Sequence, residues 1–362
     1  MKKFLLIICL LLSLVLLSSC ANKDSVKPSG EAEKSSEDTK PTTPETKPES
    51  LTIKDYYNYK ENTKYVYEGK GNEYASYDVY IDFKSGNSVQ LRSNNGGTEM
   101  VKVIENKDGE LRILQSRAEC YYRENLTQQV PSNNVEILLK EPLSVGTNWT
   151  LEDGRKRSIS KLEVDITTPM GIYKTLEVTT ESKDSKTQDY YAPNIGLVKS
   201  VFTSNGFEVI SNLIKLETNL PLVQTVRFYY PNANVDKLYF VNKKLSFKTN
   251  DITKLIIENA FKDLPKDDLG KVLGTNVKIR SLYLNKDNRA YIDFSKELLS
   301  EMNAGSGYES LILQSITNTI GTYYGVDKVY ITVENSPYVS GHTEMKKGEF
   351  FTVNLTNSVE LK

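Results

Sequence analysis

From Leu51 to about Thr218 apolar and polar residues alternate with period two between turn signals, and this pattern constrains the chain more than any other. Tyr77-Asp78-Val79-Tyr80-Ile81-Asp82-Phe83 alternates throughout, and Lys102-Val103-Ile104-Glu105 does so less cleanly. Asn94-Asn95-Gly96-Gly97 and Asn106-Lys107-Asp108-Gly109 are hairpin turns between such runs. Further strands are expected at 158–166, 172–179, 189–191, 197–203 and 207–215. Strands at roughly ten-residue spacing predict an antiparallel meander with no helix breaking it. A sheet of about ten strands must curl or close to hide its edges.

The N-terminus has a different logic. Lys2 and Lys3 precede an apolar run from Phe4 to Leu17. At 1.5 Å per residue that run spans about 21 Å, short of the roughly 30 Å bilayer core, so it reads as a secretory leader. It ends in Leu17-Ser18-Ser19-Cys20, which resembles the lipobox of bacterial lipoproteins. The resemblance implies acylation of Cys20, cleavage before it and anchoring on the extracytoplasmic face of the cell membrane. Two or more acyl chains anchor stably where one is marginal. Residues 21–50 hold Pro28, Pro41, Pro44 and Pro48, many Ser, Thr, Lys and Glu, and no aromatic residue, so they read as a disordered tether. The expected organisation is leader 1–20, tether 21–50, antiparallel β domain 51–217 and a second domain 218–362.

Composition narrows the function. With 46 basic and 47 acidic residues the net charge is −1, which gives no basic field for nucleic acid. A single histidine excludes a multi-His metal centre and makes His-based acid–base chemistry improbable. Cys120 is the only thiol expected in the mature chain, so no intrachain disulfide can form.

After Thr218 the pattern changes to α+β. Strands are expected at 223–230 and 237–241, then a helix over Asp251–Leu264 with Ile252, Leu255, Ile256 and Ala260 on one face, stopped by Pro265. Strands 277–284 and 290–294 read as a hairpin around Lys286-Asp287-Asn288. A second helix follows, with Ser306 and Glu309 as a capping box. Its apolar face carries Tyr308, Leu311, Ile312, Ile316, Thr319, Ile320 and Tyr323, and 327–333 is a last strand. This order predicts one small sheet with both helices on one face.

These residues carry a family resemblance. Val226-Arg227-Phe228-Tyr229-Tyr230, Leu273-Gly274-Thr275-Asn276-Val277-Lys278, Ala290-Tyr291-Ile292-Asp293-Phe294-Ser295-Lys296-Glu297-Leu298 and Leu313-Gln314-Ser315-Ile316-Thr317-Asn318-Thr319-Ile320 resemble the segments of the GerMN domain of sporulation and spore-germination lipoproteins. Leu264-Pro265 departs from the family's usual Gly-Pro, and one copy is visible where some members carry two. The resemblance covers about residues 221–356. It implies a ring-building-like fold that works by protein–protein association in the cell envelope, with no catalysis and no cofactor. Tyr190-Tyr191-Ala192-Pro193-Asn194-Ile195-Gly196-Leu197-Val198-Lys199 is similar to the strand–turn–strand of several curved-sheet envelope lipoproteins.

Asp293 is the most enzyme-like carboxylate; its structural reading is that it and Ser295 close a strand and cap the turn after it. Asp267 and Asp268 read as a solvated turn, with a cation as the other reading. Asp153-Gly154-Arg155-Lys156-Arg157 reads as a solvated hairpin, with anionic headgroups as the alternative. His342 reads as a loop residue. The paired tyrosines 121–122, 190–191, 229–230 and 323–324 should place one ring of each pair inside and one outside wherever the chain is extended. The expected function is an assembly or scaffold module held to the membrane through Cys20, partnered by envelope proteins or itself, in spore formation or germination. The alternative is a carrier holding a lipid or other apolar ligand on the curved sheet.

Overall fold

The computed structural model describes residues 51–131, 135–232 and 234–362. The leader, the tether and Cys20, with the readings made on them, lie outside the described residues. Ser50–Lys362 closes on itself as one compact unit containing its own cores, which is what an independently folding piece requires. Among the described residues no helix is long and apolar enough to cross a membrane, a statement that leaves membrane β-barrels aside.

A short helix, α1 (Ile53–Tyr56), leads into twelve strands: β1 (Thr63–Lys70), β2 (Tyr77–Ser85), β3 (Ser88–Asn94), β4 (Glu99–Lys107), β5 (Glu110–Ala118), β6 (Glu136–Lys140), β7 (Asn148–Thr150), β8 (Lys156–Thr168), β9 (Gly171–Glu181), β10 (Ser185–Ala192), β11 (Gly196–Ser204) and β12 (Phe207–Thr218). They form one sheet in the order β6-β5-β4-β3-β2-β1-β12-β11-β10-β9-β8-β7. It is two meanders joined where β1 pairs antiparallel with β12. Alternation decides what each strand buries: in β1, Thr63, Tyr65 and Tyr67 point inward and the residues between them do not. The inner core draws Ile53 from α1 and Tyr65, Ile81, Leu139, Ile159, Leu176 and Leu213 from strands across the whole sheet. Burial of each such side chain contributes about 1.5–3 kcal/mol.

The expected curling is present, and its closure is unusual. The outermost strands, β6 and β7, share no backbone ladder in the sheet order. Trp149 Nε1 on β7 donates to the Ile137 carbonyl on β6 at 3.1 Å. Arg157 on β8 donates through Nη1 to the same carbonyl at 2.5 Å and through Nη2 to Glu136 at 2.7 Å. Side chains thus satisfy an edge that would otherwise invite pairing with another strand. The solvated hairpin expected at 153–157 is corrected here. Arg155 does pair locally with Asp153, but Arg157 turns inward and is 5% exposed.

The C-terminal part has β13 (Leu222–Asn232), β14 (Lys237–Phe247), α2 (Thr253–Lys262), β15 (Ile279–Leu284), β16 (Ala290–Phe294), α3 (Glu297–Met302), α4 (Ser306–Tyr324), β17 (Lys328–Val333), β18 (Ser336–Pro337), β19 (Phe351–Thr352) and β20 (Ser358–Glu360). It holds two small sheets where one was expected: β13-β14-β20, and β15-β16-β17-β18 with β19 also on β17. α4 lies against strands of both, so it is buried on nearly every side, including Ser315, Thr317 and Asn318. Gly325 ends it at φ 67°, with the Val326 N–H reaching back to the Gly321 carbonyl.

Three local expectations change. The α4 N-cap is Gly305, with no side-chain cap; Glu309 turns inward, where Tyr338 Oη (3.1 Å) and Ser340 Oγ (2.5 Å) donate to it. On α2 the buried face is Ile257, Ala260 and Phe261, while Ile252 and Leu255 are exposed. Among the tyrosine pairs only 121–122 splits; both rings of 190–191, 229–230 and 323–324 are buried, since 323–324 lies in the buried helix α4, a bulge falls between 190 and 191, and β13 carrying 229–230 is covered by α4.

Candidate functional site

The curled sheet encloses a cavity of about 430 Å³. Tyr59, Tyr67, Tyr77 and Tyr191 line it together with Leu91, Ile104, Leu111 and Ile113. Ring stacking and one hydroxyl bond hold part of this wall. Tyr67 and Tyr77 stack at 4.5 Å between centroids, and Tyr67 Oη donates to the Leu197 carbonyl at 2.8 Å. Burial pushes the Tyr67 and Tyr191 hydroxyls well up from the usual range, so both stay neutral donors. The segment after α1 occupies one end: the Asn194 N–H donates to the Asp55 carbonyl at 2.6 Å, and Tyr57 Oη donates to the Ile104 carbonyl at 2.7 Å. Tyr74, Asn95 and Thr98, from the β1–β2 and β3–β4 turns, also border the space, and Tyr74 is half-exposed. A Cβ at Gly97 would sit 2.7 Å from the Tyr74 ring, so a side chain there would push that half-exposed ring aside.

Four charged groups face this cavity: Lys102, Glu136, Arg157 and Asp189. Arg157 and Glu136 are paired, and Arg157 Nε also donates to Thr180 Oγ1 at 2.8 Å. Asp189 accepts from Ser200 Oγ at 2.6 Å. Burial pushes its carboxyl up, against that bond and against the attraction of Arg157. Lys102 is partly buried, makes no hydrogen bond or close ion pair among the described residues, and attracts the Asp189 carboxylate.

β4 carries the cavity on one face and a second core on the other. Met100, Lys102 and Ile104 line the cavity, while Val101 and Val103 pack with Phe228, Phe247, Phe261 and Ile316 of the C-terminal part. The connection after β5 adds Cys120, Tyr122 and Leu126 to that same core. Arg123, fully buried, ties it down. Its Nη1 donates to the Asp251 carbonyl, and its Nη2 donates to the carbonyls of Asp82 (2.8 Å) and Lys248 (3.0 Å). Its guanidinium lies 4.0 Å from the Phe83 ring centre. Asp82 also pairs with Arg92 at 3.0 Å, and the Arg123 N–H donates to Tyr323 Oη at 2.8 Å. Sequence reading did not find Arg123. The signal available was the length of the 119–135 connection, too long for a hairpin turn.

The outer face of the β15-β16-β17 sheet is a second surface of interest. Tyr283, Tyr291 and Tyr330 form a row across it, with ring centres 5.4 Å and 5.1 Å apart. Beside it, Arg289 and Lys328 both lie over the Phe350 ring.

The residues singled out in the sequence take structural places. Asp293 is buried; its Oδ1 accepts from Thr332 Oγ1 (2.6 Å) and the Asn335 N–H (2.8 Å), and Arg280 lies 3.3 Å from Oδ2. Asp293 therefore holds the β17–β18 turn and not, as expected, the turn into α3, whose N-cap Lys296 has no side-chain cap; Ser295 Oγ accepts from the Lys278 N–H. Asp267, Asp268 and His342 are exposed and are not brought together. Cys120 is a free, buried thiol, and that burial pushes it up from its usual range. Among the described residues no group of three or more His, Cys, Asp or Glu side chains could hold a metal ion.

No curated protein matches the chain. Among solved structures, the tandem GerMN domains of the sporulation protein GerM from Bacillus subtilis match at 21% identity and a TM-score of 0.26, covering 38% of this chain. The match spans 46% of that structure, less than half its length. A protein described as exported, with a YmcC-like fold, from Bacteroides fragilis matches at 11% identity and a TM-score of 0.27, over 44% of this chain and 97% of its own. One described as a lipoprotein from Clostridium perfringens matches at 19% identity and a TM-score of 0.24, over 36% of this chain and 87% of its own. Residues 227–339 match the family described as Germane, sporulation and spore germination. That segment, which holds β16, α4 and β17, is the part of the chain that is similar to the Germane family.

Proposed function

We propose that the protein is an extracytoplasmic lipoprotein, held to the membrane through Cys20, that serves as an assembly module of the cell envelope in spore formation or germination. The Germane match over residues 227–339 is the observation that carries this reading. Two further features support it. The lipobox-like Leu17-Ser18-Ser19-Cys20 follows a run too short to span a bilayer. The Tyr283-Tyr291-Tyr330 row offers rigid aromatic surface flanked by cations, the composition enriched where proteins associate. Its action in this reading is association, with no chemical step.

The test has two arms. Cells fed labelled palmitate should label the wild-type protein and fail to label Cys20→Ala, which should leave the membrane fraction. A deletion strain should lose spores or germination efficiency, and restoring a chain with Tyr291→Ala and Tyr330→Ala should not recover them. A deletion strain that sporulates and germinates normally would remove the process from the proposal.

A further inference from the structure

We propose that the cavity of the curled sheet is a binding site for one single-chain fatty acid, with its carboxylate on Lys102 and its chain among the tyrosines. This goes beyond the assembly reading and can fail without it.

The volume sets the size of the occupant. A methylene fills about as much room as a water molecule, roughly 30 Å³, so 430 Å³ accommodates about fourteen. That suits one long acyl chain and excludes a diacyl lipid held entirely inside. The wall sets the character of the occupant. Tyr67, Tyr77 and Tyr191 line it with their rings, and the Tyr67 hydroxyl is already committed to the Leu197 carbonyl. The wall as a whole, with Leu91, Ile104, Leu111 and Ile113 beside the rings, is mainly apolar, which favours a chain over a sugar or peptide.

The charges set the head group. Arg157 and Glu136 neutralise each other at 2.7 Å. Asp189 is bound by Ser200 at 2.6 Å. Lys102, partly buried, makes no hydrogen bond or close ion pair among the described residues; it attracts Asp189, but burial pushes that carboxyl up toward its neutral form, which leaves the ammonium open to an added anion. An ammonium on a low-dielectric wall gains most from an anion that arrives with its own apolar anchor. A cationic amphiphile would meet that ammonium, and a neutral alcohol would leave it unpaired.

The test uses residues 51–362, the compact unit, and a dansylated undecanoic acid whose emission rises in an apolar site. Palmitate should displace the probe competitively at one site per chain. Hexadecanol and hexadecyltrimethylammonium should compete at least tenfold less well. Lys102→Met, which keeps the stem, should weaken palmitate about tenfold or more, and Lys102→Arg should restore most of it. Ile113→Trp, which fills the cavity from β5, should abolish binding, with circular dichroism checking that each variant is folded. Equal affinity for palmitate and hexadecanol, or an unchanged affinity in a folded Lys102→Met variant, would overturn the head-group assignment. No displacement by palmitate at any soluble concentration would overturn the site. Hexadecyl phosphate competing far better than palmitate would replace the carboxylate by a phosphate and so refute the fatty-acid identity.

Discussion

Replacing Arg123 with Met tests whether the joint between the curled sheet and the C-terminal part is held as described. Met keeps much of the stem's bulk and removes all five guanidinium N–H donors. Three backbone carbonyls, of Asp82, Lys248 and Asp251, then lose a donor. At about 1 kcal/mol for each bond lost from a buried acceptor, that is roughly 3 kcal/mol. The contact with the Phe83 ring adds about 1 kcal/mol. Asp82 keeps Arg92 at 3.0 Å, which limits the ionic part of the loss. Arg123 Nε also lies 3.7 Å from Asp82 Oδ1, so the expected destabilisation is about 3–5 kcal/mol, in the range seen when one partner leaves a buried ion pair. Urea unfolding of residues 51–362, followed by circular dichroism, measures it, with Arg155→Met as the comparison. The Arg155 side chain is 39% exposed and pairs only with Asp153, so its replacement should change stability by about 0.5 kcal/mol or less. A loss below about 1 kcal/mol for Arg123→Met, or equal losses for the two variants, would refute the reasoning.

Three other outcomes are expected. Gly69→Ala should lower stability by about 1–3 kcal/mol in the same assay, because its Cβ would fall 2.0 Å from the backbone carbonyl carbon of Ala75, which cannot swing aside; a neutral result would mean the β1–β2 turn moves freely. Glu309→Ala should cost about 1–3 kcal/mol by leaving the buried Tyr338 hydroxyl without its acceptor, and thermal melting at neutral pH that matches wild type would contradict this. Burial pushes the Glu258 carboxyl up, but bonds from Lys262, the Ile279 N–H and Lys278 outweigh it and hold the group below its usual range. Its stabilisation is then present above the unfolded carboxylate pKa and lost as pH falls through the lower folded value. Glu258→Gln should accordingly lose stability at neutral pH and converge on wild type in acid; a constant gap across that range would show that Glu258 does not titrate as described.

The strands of the sheet were legible because one face of each is buried and alternation records it. The Asn94–Gly97 and Asn106–Gly109 turns fixed the register between them. What alternation cannot record is which neighbour covers each face. The segment Lys102-Val103-Ile104-Glu105 looked untidy for a physical reason. Val103 faces the second core, Ile104 faces the cavity, and a bulge falls between them. The same limit hid Lys102, whose polarity reads as solvent-facing in the sequence. It also hid the second small sheet, because a helix buried on most sides, as α4 is, shows a broad apolar pattern whichever layers enclose it. Ser306 and Glu309 fit a capping box in spacing, but the tertiary partners Tyr338 and Ser340 took the carboxylate instead.

The closure between β6 and β7 has an experimental consequence. Trp149 is the chain's single tryptophan, and its indole N–H is bonded across that closure to Ile137. Light absorbed beyond the tyrosine band therefore excites one fluorophore at one known place. A red shift of its emission would signal parting of the two margins of the sheet while the far-ultraviolet spectrum stays unchanged. The molecule thus carries an intrinsic optical gauge of whether its curled sheet is shut or ajar, with no label attached.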